Sequence, residues 1–116
     1  MKKFLRSFVF AGHGFLVAVR TQRNLRLHCM GSMLVVGAGL YLSISVLEWC
    51  LVILAMGLVL TAELINSSIE GLVDLLEPNA HPLAGKVKDI AAGGVLVAAV
   101  CAAAIGILVF LKYLAP

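Results

Sequence analysis

Charged residues are scarce in this sequence. Asp, Glu, Lys and Arg make up 13% of its 116 residues, whereas hydrophobic residues make up 62%. A soluble domain of this length needs enough polar residues to cover its apolar interior, and this composition is far from that of such domains. The scarcity excludes an ordinary soluble fold and predicts one small domain, residues 1–116, embedded in a lipid bilayer.

Closely spaced cysteines are also missing. Cys29, Cys50 and Cys101 are isolated within apolar sequence, and none belongs to a CxxC motif or to a Cys/His spacing that holds zinc. This absence excludes a zinc site of the usual kind. We interpret the three side chains as small apolar residues that contribute to packing.

Long uncharged runs are present instead. The runs from Cys29 to Leu47 and from Ile90 to Leu111 can each cross about 30 Å of hydrocarbon as a helix. A run from Trp49 to Ala62 is too short alone, but its apolar pattern continues to Leu76. The linker from Glu77 to Pro82 then ends the helix through its two prolines. The sequence predicts three transmembrane helices, the second of which contains polar residues.

Basic residues are distributed unevenly along the chain. Six of the nine Lys and Arg precede the first long apolar run, and Lys86 and Lys88 follow the linker. Since short cytoplasmic segments are enriched in Lys and Arg, the N-terminus and the linker are predicted to face the cytoplasm. The aromatic residues Tyr41, Trp49 and Tyr113 are then expected at the outer interface.

The N-terminal segment has the pattern of an amphipathic helix. Apolar residues recur at helical spacing between Lys3 and Val19, and this pattern favours a helix that lies on the cytoplasmic membrane surface. The predicted fold is therefore an all-α membrane protein with one N-terminal surface helix and three transmembrane helices.

Four polar residues in the second span share one helix face. Glu63, Asn66, Glu70 and Asp74 are separated by 3, 4 and 4 residues, and we call them the acidic stripe. Carboxylates at membrane depth are costly unless they are paired or functional. One interpretation is a structural network with nearby lysines or arginines. The other is a set of oxygen ligands for Mg²⁺, because a cation would relieve the repulsion between the carboxylates.

Lys88 and Asp89 follow the linker at the level of the lower part of the acidic stripe. A lysine beside metal-binding oxygens is what phosphoryl transfer requires, although lysines at helix ends are often simple interfacial charges. His81 could hydrogen-bond a phosphate or only cap the loop. The sequence has no P-loop and no GxGxxG motif, so a nucleotide site here would be built from helices.

Three segments carry a family resemblance: AELINSSIEGLVDLL at 62–76, HPLAGKVKDIAAG at 81–93 and RTQRNLRLH at 20–28. Together with the order of the three spans, they resemble the small prokaryotic diacylglycerol kinases, a family that includes the undecaprenol kinases. The resemblance implies a homotrimer with active sites shared between subunits, in the cytoplasmic (inner) membrane of a bacterium. It also implies Mg²⁺ as cofactor and ATP as phosphate donor.

The resemblance assigns roles residue by residue. Glu63 would be the catalytic base that takes the proton of the lipid hydroxyl, and Glu70 would be a Mg²⁺ ligand. The family commonly has a glutamate as second metal ligand where this chain has Gln22, and an amide offers only a neutral oxygen. Lipid contacts would come from Arg6, Glu63 and Ala92. Contacts to the nucleotide would come from His13, Gln22, Asn66, Glu70, Asn79, Ala80, His81, Lys88 and Asp89.

Three functions follow from these features as hypotheses. The first is an ATP-dependent lipid kinase with diacylglycerol or undecaprenol as acceptor. The second is a non-catalytic membrane assembly protein, in which the acidic stripe only packs helices, and the third is an ion or proton pathway lined by the same acids. We expect no nucleic-acid partner.

Overall fold

The computed structural model describes residues 1–115, which form four α-helices and no strand. The prediction of an all-α fold is confirmed. Three of the helices, α2, α3 and α4, are long and apolar enough to cross a membrane. The helices are α1 (Lys2–Thr21), α2 (Arg23–Leu42), α3 (Val46–Leu76) and α4 (Pro82–Leu114).

Helix α3 is the central element. It packs along α4 over most of its length and against α2 less extensively, while α1 contacts α2 and α3 only lightly. The molecule measures 55 × 42 × 20 Å along its principal axes. Because a helix with side chains is about 10–12 Å across, the described chain is a layer only about two helices thick.

The turn between α2 and α3 is shorter than the sequence indicates. Helix α2 ends where Ser43 adopts a left-handed backbone conformation with φ of 54°. Helix α3 starts after Ser45, whose hydroxyl accepts from the backbone N–H of Glu48 while the Glu48 carboxylate accepts from the backbone N–H of Ser45. This reciprocal cap satisfies backbone donors at the helix start. The first span is therefore 23–42 rather than the uncharged run 29–47. The prediction differs because a run without charged residues does not mark where a helix begins or ends.

Helix α3 is longer than a membrane crossing requires. It contains 31 residues, or about 46 Å, of which roughly 20 residues suffice for the hydrocarbon core. Counted from the α2–α3 turn, about 20 residues extend to about Ile65. Of the stripe residues, Glu63 falls within this stretch, whereas Asn66, Glu70 and Asp74 follow it on the same helix.

The buried core lies at the end of the fold near the α2–α3 turn. Ile44, Val52 and Val109 form it, and Trp49 packs against it as a half-buried residue. A Cβ atom on Gly39 would lie 2.7 Å from Cη2 of Trp49, so this indole occupies the space beside a glycine. Trp49 therefore serves in core packing and not only at a membrane interface, where the sequence puts it.

A polar cluster joins the ends of α3 and α4 beside this core. The hydroxyl of Tyr113 donates to Oε1 of Glu48 at 2.5 Å, and Nζ of Lys112 lies 3.1 Å from Oε2 of the same carboxylate. The lysine ammonium also sits 5.1 Å from the centroid of the Tyr113 ring. Since Glu48 is 8% exposed, these partners compensate for its burial.

Helix α1 has no buried residue and meets the rest of the chain near its C-terminal end. Arg26 fixes that corner by donating from Nη1 to the carbonyls of Val19 and Arg20, at 3.0 and 2.9 Å. A cation at a helix C-terminus satisfies free carbonyls and complements the helix dipole. The exposed apolar side chains of α1 suit the membrane surface that the sequence predicts.

Candidate active site

The acidic stripe runs from the buried part of α3 to its exposed end. Glu63 is 3% exposed and Asn66 is 6% exposed, because both face the neighbouring helices. Glu70 is half-buried and Asp74 is exposed. The stripe therefore extends from a buried carboxylate to an exposed one.

The middle of the stripe contains polar atoms without partners. The amide nitrogen Nδ2 of Asn66 donates to Oε1 of Glu70 at 3.4 Å. Among the described residues, the buried Oδ1 of Asn66 and the buried Oγ of Ser67 have no hydrogen-bond partner. Buried polar atoms are nearly always satisfied in proteins, so these two atoms are exceptions within the described chain.

The exposed end of the stripe borders a cleft formed by the α3–α4 loop. Asp74 and Lys88 form an ion pair across this cleft. The cleft has a volume of about 280 Å³. We call it the loop cleft; it is lined by Asp74, Glu77, Pro78, Asn79, Ala80, His81, Ala84, Gly85 and Lys88. Four of the residues with predicted nucleotide contacts, Asn79, Ala80, His81 and Lys88, are thereby brought together.

His81 has a structural contact as well. Its Nδ1 accepts from the backbone N–H of Leu83 at 3.1 Å and so caps the start of α4, which has Pro82 as its first residue. The capping alternative from the sequence is therefore confirmed. The cap uses only Nδ1 of the ring. The other ring nitrogen, Nε2, remains available for a contact in the loop cleft, which His81 lines.

His28 is a residue that the sequence reasoning missed. Its Nε2 lies 4.0 Å from Oε2 of Glu63, which makes it the nearest basic group to the buried carboxylate. The histidine ring is about one third exposed, at 31%. The sequence signal for this residue was its position at the end of the RTQRNLRLH segment, which resembles the kinase family. Its proximity to Glu63 could not be predicted, because only the folded chain brings α2 beside the middle of α3.

Several predicted residues are not brought to the stripe by a single chain. Arg6 and His13 are exposed on α1, and their side chains form no hydrogen bond or ion pair with any residue from 1 to 115. Gln22 is half-buried at the junction of α1 and α2. Asp89 and Ala92 are exposed on α4 outside the loop cleft. Their predicted roles remain predictions.

Comparison with known families identifies the chain. The family model described as prokaryotic diacylglycerol kinase matches residues 9–110, which covers all of α2 and α3 and most of α1 and α4. The chain belongs to the prokaryotic diacylglycerol kinase family. The chain is thus a lipid kinase with three helices that can span a membrane.

Similar members of the prokaryotic diacylglycerol kinase family differ in the lipid that their names contain. The undecaprenol kinase of Bacillus subtilis (strain 168) is 40% identical over 98% of this chain and 93% of its own. A diacylglycerol kinase of Synechocystis sp. is 38% identical over 88% of this chain and 59% of its own. A diacylglycerol kinase of Helicobacter pylori (strain ATCC 700392 / 26695) is 49% identical over 49% of this chain and 44% of its own.

The side chains of this kinase meet the requirements of a hard cation such as Mg²⁺ only in part. Among residues 1–115, no three His, Cys, Asp or Glu side chains are grouped so that they could hold a metal ion. Glu70 with the unpartnered Oδ1 of Asn66 nevertheless offers neighbouring oxygens, which are the ligands that Mg²⁺ prefers. Mg²⁺ usually binds through one or two carboxylates together with water and substrate phosphates, so Glu70 would be the protein carboxylate in such a site.

Proposed function

We propose that this lipid kinase transfers the γ-phosphate of MgATP to the hydroxyl of undecaprenol, giving undecaprenyl phosphate. One observation carries the proposal of lipid phosphorylation: the buried carboxylate of Glu63 shares a face of α3 with Asp74, which lines the loop cleft together with Lys88. Undecaprenol is preferred over diacylglycerol, the product of which would be phosphatidic acid, because the relative named undecaprenol kinase matches nearly the full length of both chains.

Glu63 is the proposed base. As its carboxylate accepts the proton of the lipid hydroxyl, that oxygen forms a bond to the γ-phosphorus of ATP. The bond between this phosphorus and the bridging oxygen to the β-phosphate breaks, and its electron pair leaves with ADP. A carboxylate held beside the reacting hydroxyl can accept its proton in the transition state, which is the task of a general base.

Lys88 and the loop cleft are proposed to hold the nucleotide. Lys88 exchanges its Asp74 partner for phosphate oxygens, while Asn79, Ala80 and His81 contact the rest of the nucleotide. Asp89, Arg6, His13 and Ala92 complete the nucleotide and lipid sites as the family resemblance implies. A lysine that neutralises phosphate charge lowers the barrier to phosphoryl transfer.

Glu70, Asn66 and Gln22 would hold the Mg²⁺ of MgATP. When bound, the ion neutralises the charge that develops on the transferring phosphoryl group. Asn66 donates from its amide nitrogen to Oε1 of Glu70 and so helps to orient that carboxylate. Because Gln22 is neutral where the family commonly has a glutamate, we expect weaker metal binding than in relatives with the acid.

The protein is further proposed to be a homotrimer in the bacterial cytoplasmic membrane with its N-terminus on the cytoplasmic side. The concentration of Lys and Arg in the N-terminal segment and near the linker supports this orientation. It also places the loop cleft where cytoplasmic ATP can reach it.

The test is transfer of labelled γ-phosphate from MgATP by the purified protein in mixed micelles, with undecaprenol and dioleoylglycerol supplied in parallel. Faster transfer to undecaprenol is expected. Faster transfer to dioleoylglycerol would contradict the choice of acceptor only. No transfer to either lipid by a folded protein would favour an assembly protein or an ion pathway.

A further inference from the structure

The charges of the loop cleft oppose the binding of an anion. Among the described residues that line the cleft, Lys88 is the only lysine or arginine, whereas Asp74 and Glu77 are both acidic. With His81 neutral, one lysine against two carboxylates leaves one net negative charge. Because the phosphates of a nucleotide are negative as well, the two carboxylates repel them.

The single lysine of the cleft is already engaged. Its ammonium forms an ion pair with Oδ1 of Asp74, which lies 14 residues earlier, on the other side of the α3–α4 loop. A phosphate that binds Lys88 must therefore displace a carboxylate that the fold keeps beside it. A group held on the same chain competes strongly, because its effective concentration is high.

The ion pair is open to water, so it can be exchanged. The side chain of Lys88 is 37% exposed and that of Asp74 is 62% exposed. Exposed ion pairs are weak because water and salt screen them. A phosphate carries more charge than one carboxylate and forms strong charge-assisted hydrogen bonds with lysine, so it can replace Asp74.

The displaced carboxylate of Asp74 is left in an unfavourable place. Asp74 lies in the last turn of α3, which ends at Leu76 and contains no basic residue. The negative end of the helix dipole repels the carboxylate there, and so does Glu77, the residue that caps the helix. Displacement of Asp74 therefore costs free energy, and this cost lowers the affinity for the nucleotide.

We propose that Asp74 is a competitor built into the nucleotide site: its carboxylate occupies Lys88 in the empty cleft, and phosphate must displace it. The inference rests on the proposed function, because it takes the loop cleft as the place where ATP binds. Asp74 acts through Lys88 and is a positioning residue. When ADP leaves, the carboxylate pairs with Lys88 again, so Asp74 weakens the binding of product as well as of substrate.

Replacement of Asp74 by asparagine tests the competition. Asp74→Asn keeps the shape of the side chain but removes its charge. Binding to the full-length protein in micelles is measured by displacement of a fluorescent ATP analogue. Asp74→Asn is expected to bind ATP, ADP and inorganic triphosphate about three- to tenfold more tightly than the wild type. The three ligands should gain by similar factors, because they share phosphate groups. A gain for ATP without one for inorganic triphosphate would overturn the inference.

Two further variants separate competition for Lys88 from the general charge of the cleft. Glu77→Gln removes the other negative charge of the cleft but no ion pair with Lys88, and its affinities are expected to change less than about twofold. Asp74→Glu keeps a carboxylate within reach of Lys88 and is also expected to change them less than about twofold. Equal gains in Glu77→Gln and Asp74→Asn would overturn the inference, since repulsion by any carboxylate would then explain them.

The direction of the change distinguishes competition from structural support. If the ion pair only holds α3 against α4, or holds Lys88 in place, its loss weakens nucleotide binding. Weaker or unchanged binding by a folded Asp74→Asn protein would therefore overturn the inference. Asp74→Ser also removes the charge and replaces Asp74→Asn in these measurements if that variant does not fold.

The same measurements separate this inference from the proposed function. Absence of ATP binding by the wild type overturns the proposed nucleotide site and the inference with it. Binding by the wild type without a gain in Asp74→Asn overturns the inference alone. In phosphate transfer to undecaprenol, ADP is expected to inhibit Asp74→Asn at about three- to tenfold lower concentrations than the wild type. Equal inhibition of the two proteins would contradict the predicted role of Asp74 in product release.

Discussion

At the scale of single residues, burial distinguishes Glu63 from the other acids of the stripe. Its side chain is almost fully enclosed, while Asp74 is exposed and paired with Lys88. A buried carboxylate without a nearby cation is expensive, and His28 at 4.0 Å is only a partial partner. This arrangement fits a proton acceptor better than a structural ion pair, whereas the pair at Asp74 corresponds to the structural network that the sequence also allowed.

Replacement of Glu63 by glutamine is the direct test of the base. Glu63→Gln keeps the shape of the side chain but removes its capacity to accept a proton. We expect kcat to fall roughly 10²- to 10⁴-fold, measured as phosphate transfer to undecaprenol in micelles. Ser68→Ala changes an exposed residue of the same helix and is expected to retain activity. Wild-type turnover by Glu63→Gln would eliminate this base.

Lys88 and Lys86 provide a second comparison at this scale. Lys88 lines the loop cleft and pairs with Asp74, whereas Lys86 is exposed and does not line the cleft. Lys88→Ala is expected to raise the KM for ATP roughly tenfold or more, because a charge-assisted phosphate contact is lost. Lys86→Ala is expected to have little effect. Similar KM values for the two variants would show that Lys88 serves only its ion pair with Asp74.

At the scale of elements, the α2–α3 turn determines how the spans are aligned. Its geometry depends on the left-handed Ser43, on the reciprocal cap between Ser45 and Glu48, and on the contact between Trp49 and Gly39. The Tyr113 hydroxyl extends this arrangement to α4 through Glu48. These contacts lie at the end of the fold opposite the stripe, so they set the helix positions on which the candidate site depends.

Two glycines of α2 test the role of this turn. Gly39→Ala is expected to cost about 1 to 3 kcal/mol, since its Cβ would overlap the Trp49 ring. Gly37→Ala meets no atom within 4 Å and is expected to be neutral or to stabilise the chain by up to about 1 kcal/mol through helix propensity. Thermal unfolding in detergent measures both. Equal Tm values would mean that Trp49 moves aside without cost.

At the scale of the whole molecule, the described chain is too thin to enclose its own helices. The layer is 20 Å deep, and only seven hydrophobic residues among those described are buried. Many large apolar side chains on α3 and α4 are therefore exposed, as expected for surfaces covered by lipid or by other copies of the chain. Small residues along these helices allow close helix contacts in a membrane.

The proposed homotrimer is tested by the mass of the purified protein in detergent. We expect native mass spectrometry to give three chains per particle, because one chain leaves most helix faces uncovered. Arg6 and His13, which contact no stripe residue in their own chain, would then reach the site of a neighbouring subunit. A monomeric protein with full kinase activity would contradict both the trimer and the shared sites.

Much of this fold can be predicted from the amino-acid composition and from the spacing of polar and apolar residues. Scarce charges and long apolar runs predicted the membrane location and three spans, and a spacing of 3, 4 and 4 residues placed the stripe on one helix face. These patterns are local, because helix periodicity and hydrocarbon thickness act on contiguous residues. The helix ends at Leu42 and Val46 were not predicted, since they depend on capping contacts and packing around the turn.

The sequence by itself determined that this protein spans a membrane, that α3 carries a polar face, and that its segments resemble a lipid kinase family. Only the tertiary structure decided that Glu63 is buried while Asp74 is open, that Lys88 is paired, and that His28 lies beside Glu63. The physical reason is that burial and pairing depend on which helices come together, and residues 28 and 63 meet only through packing between separate elements.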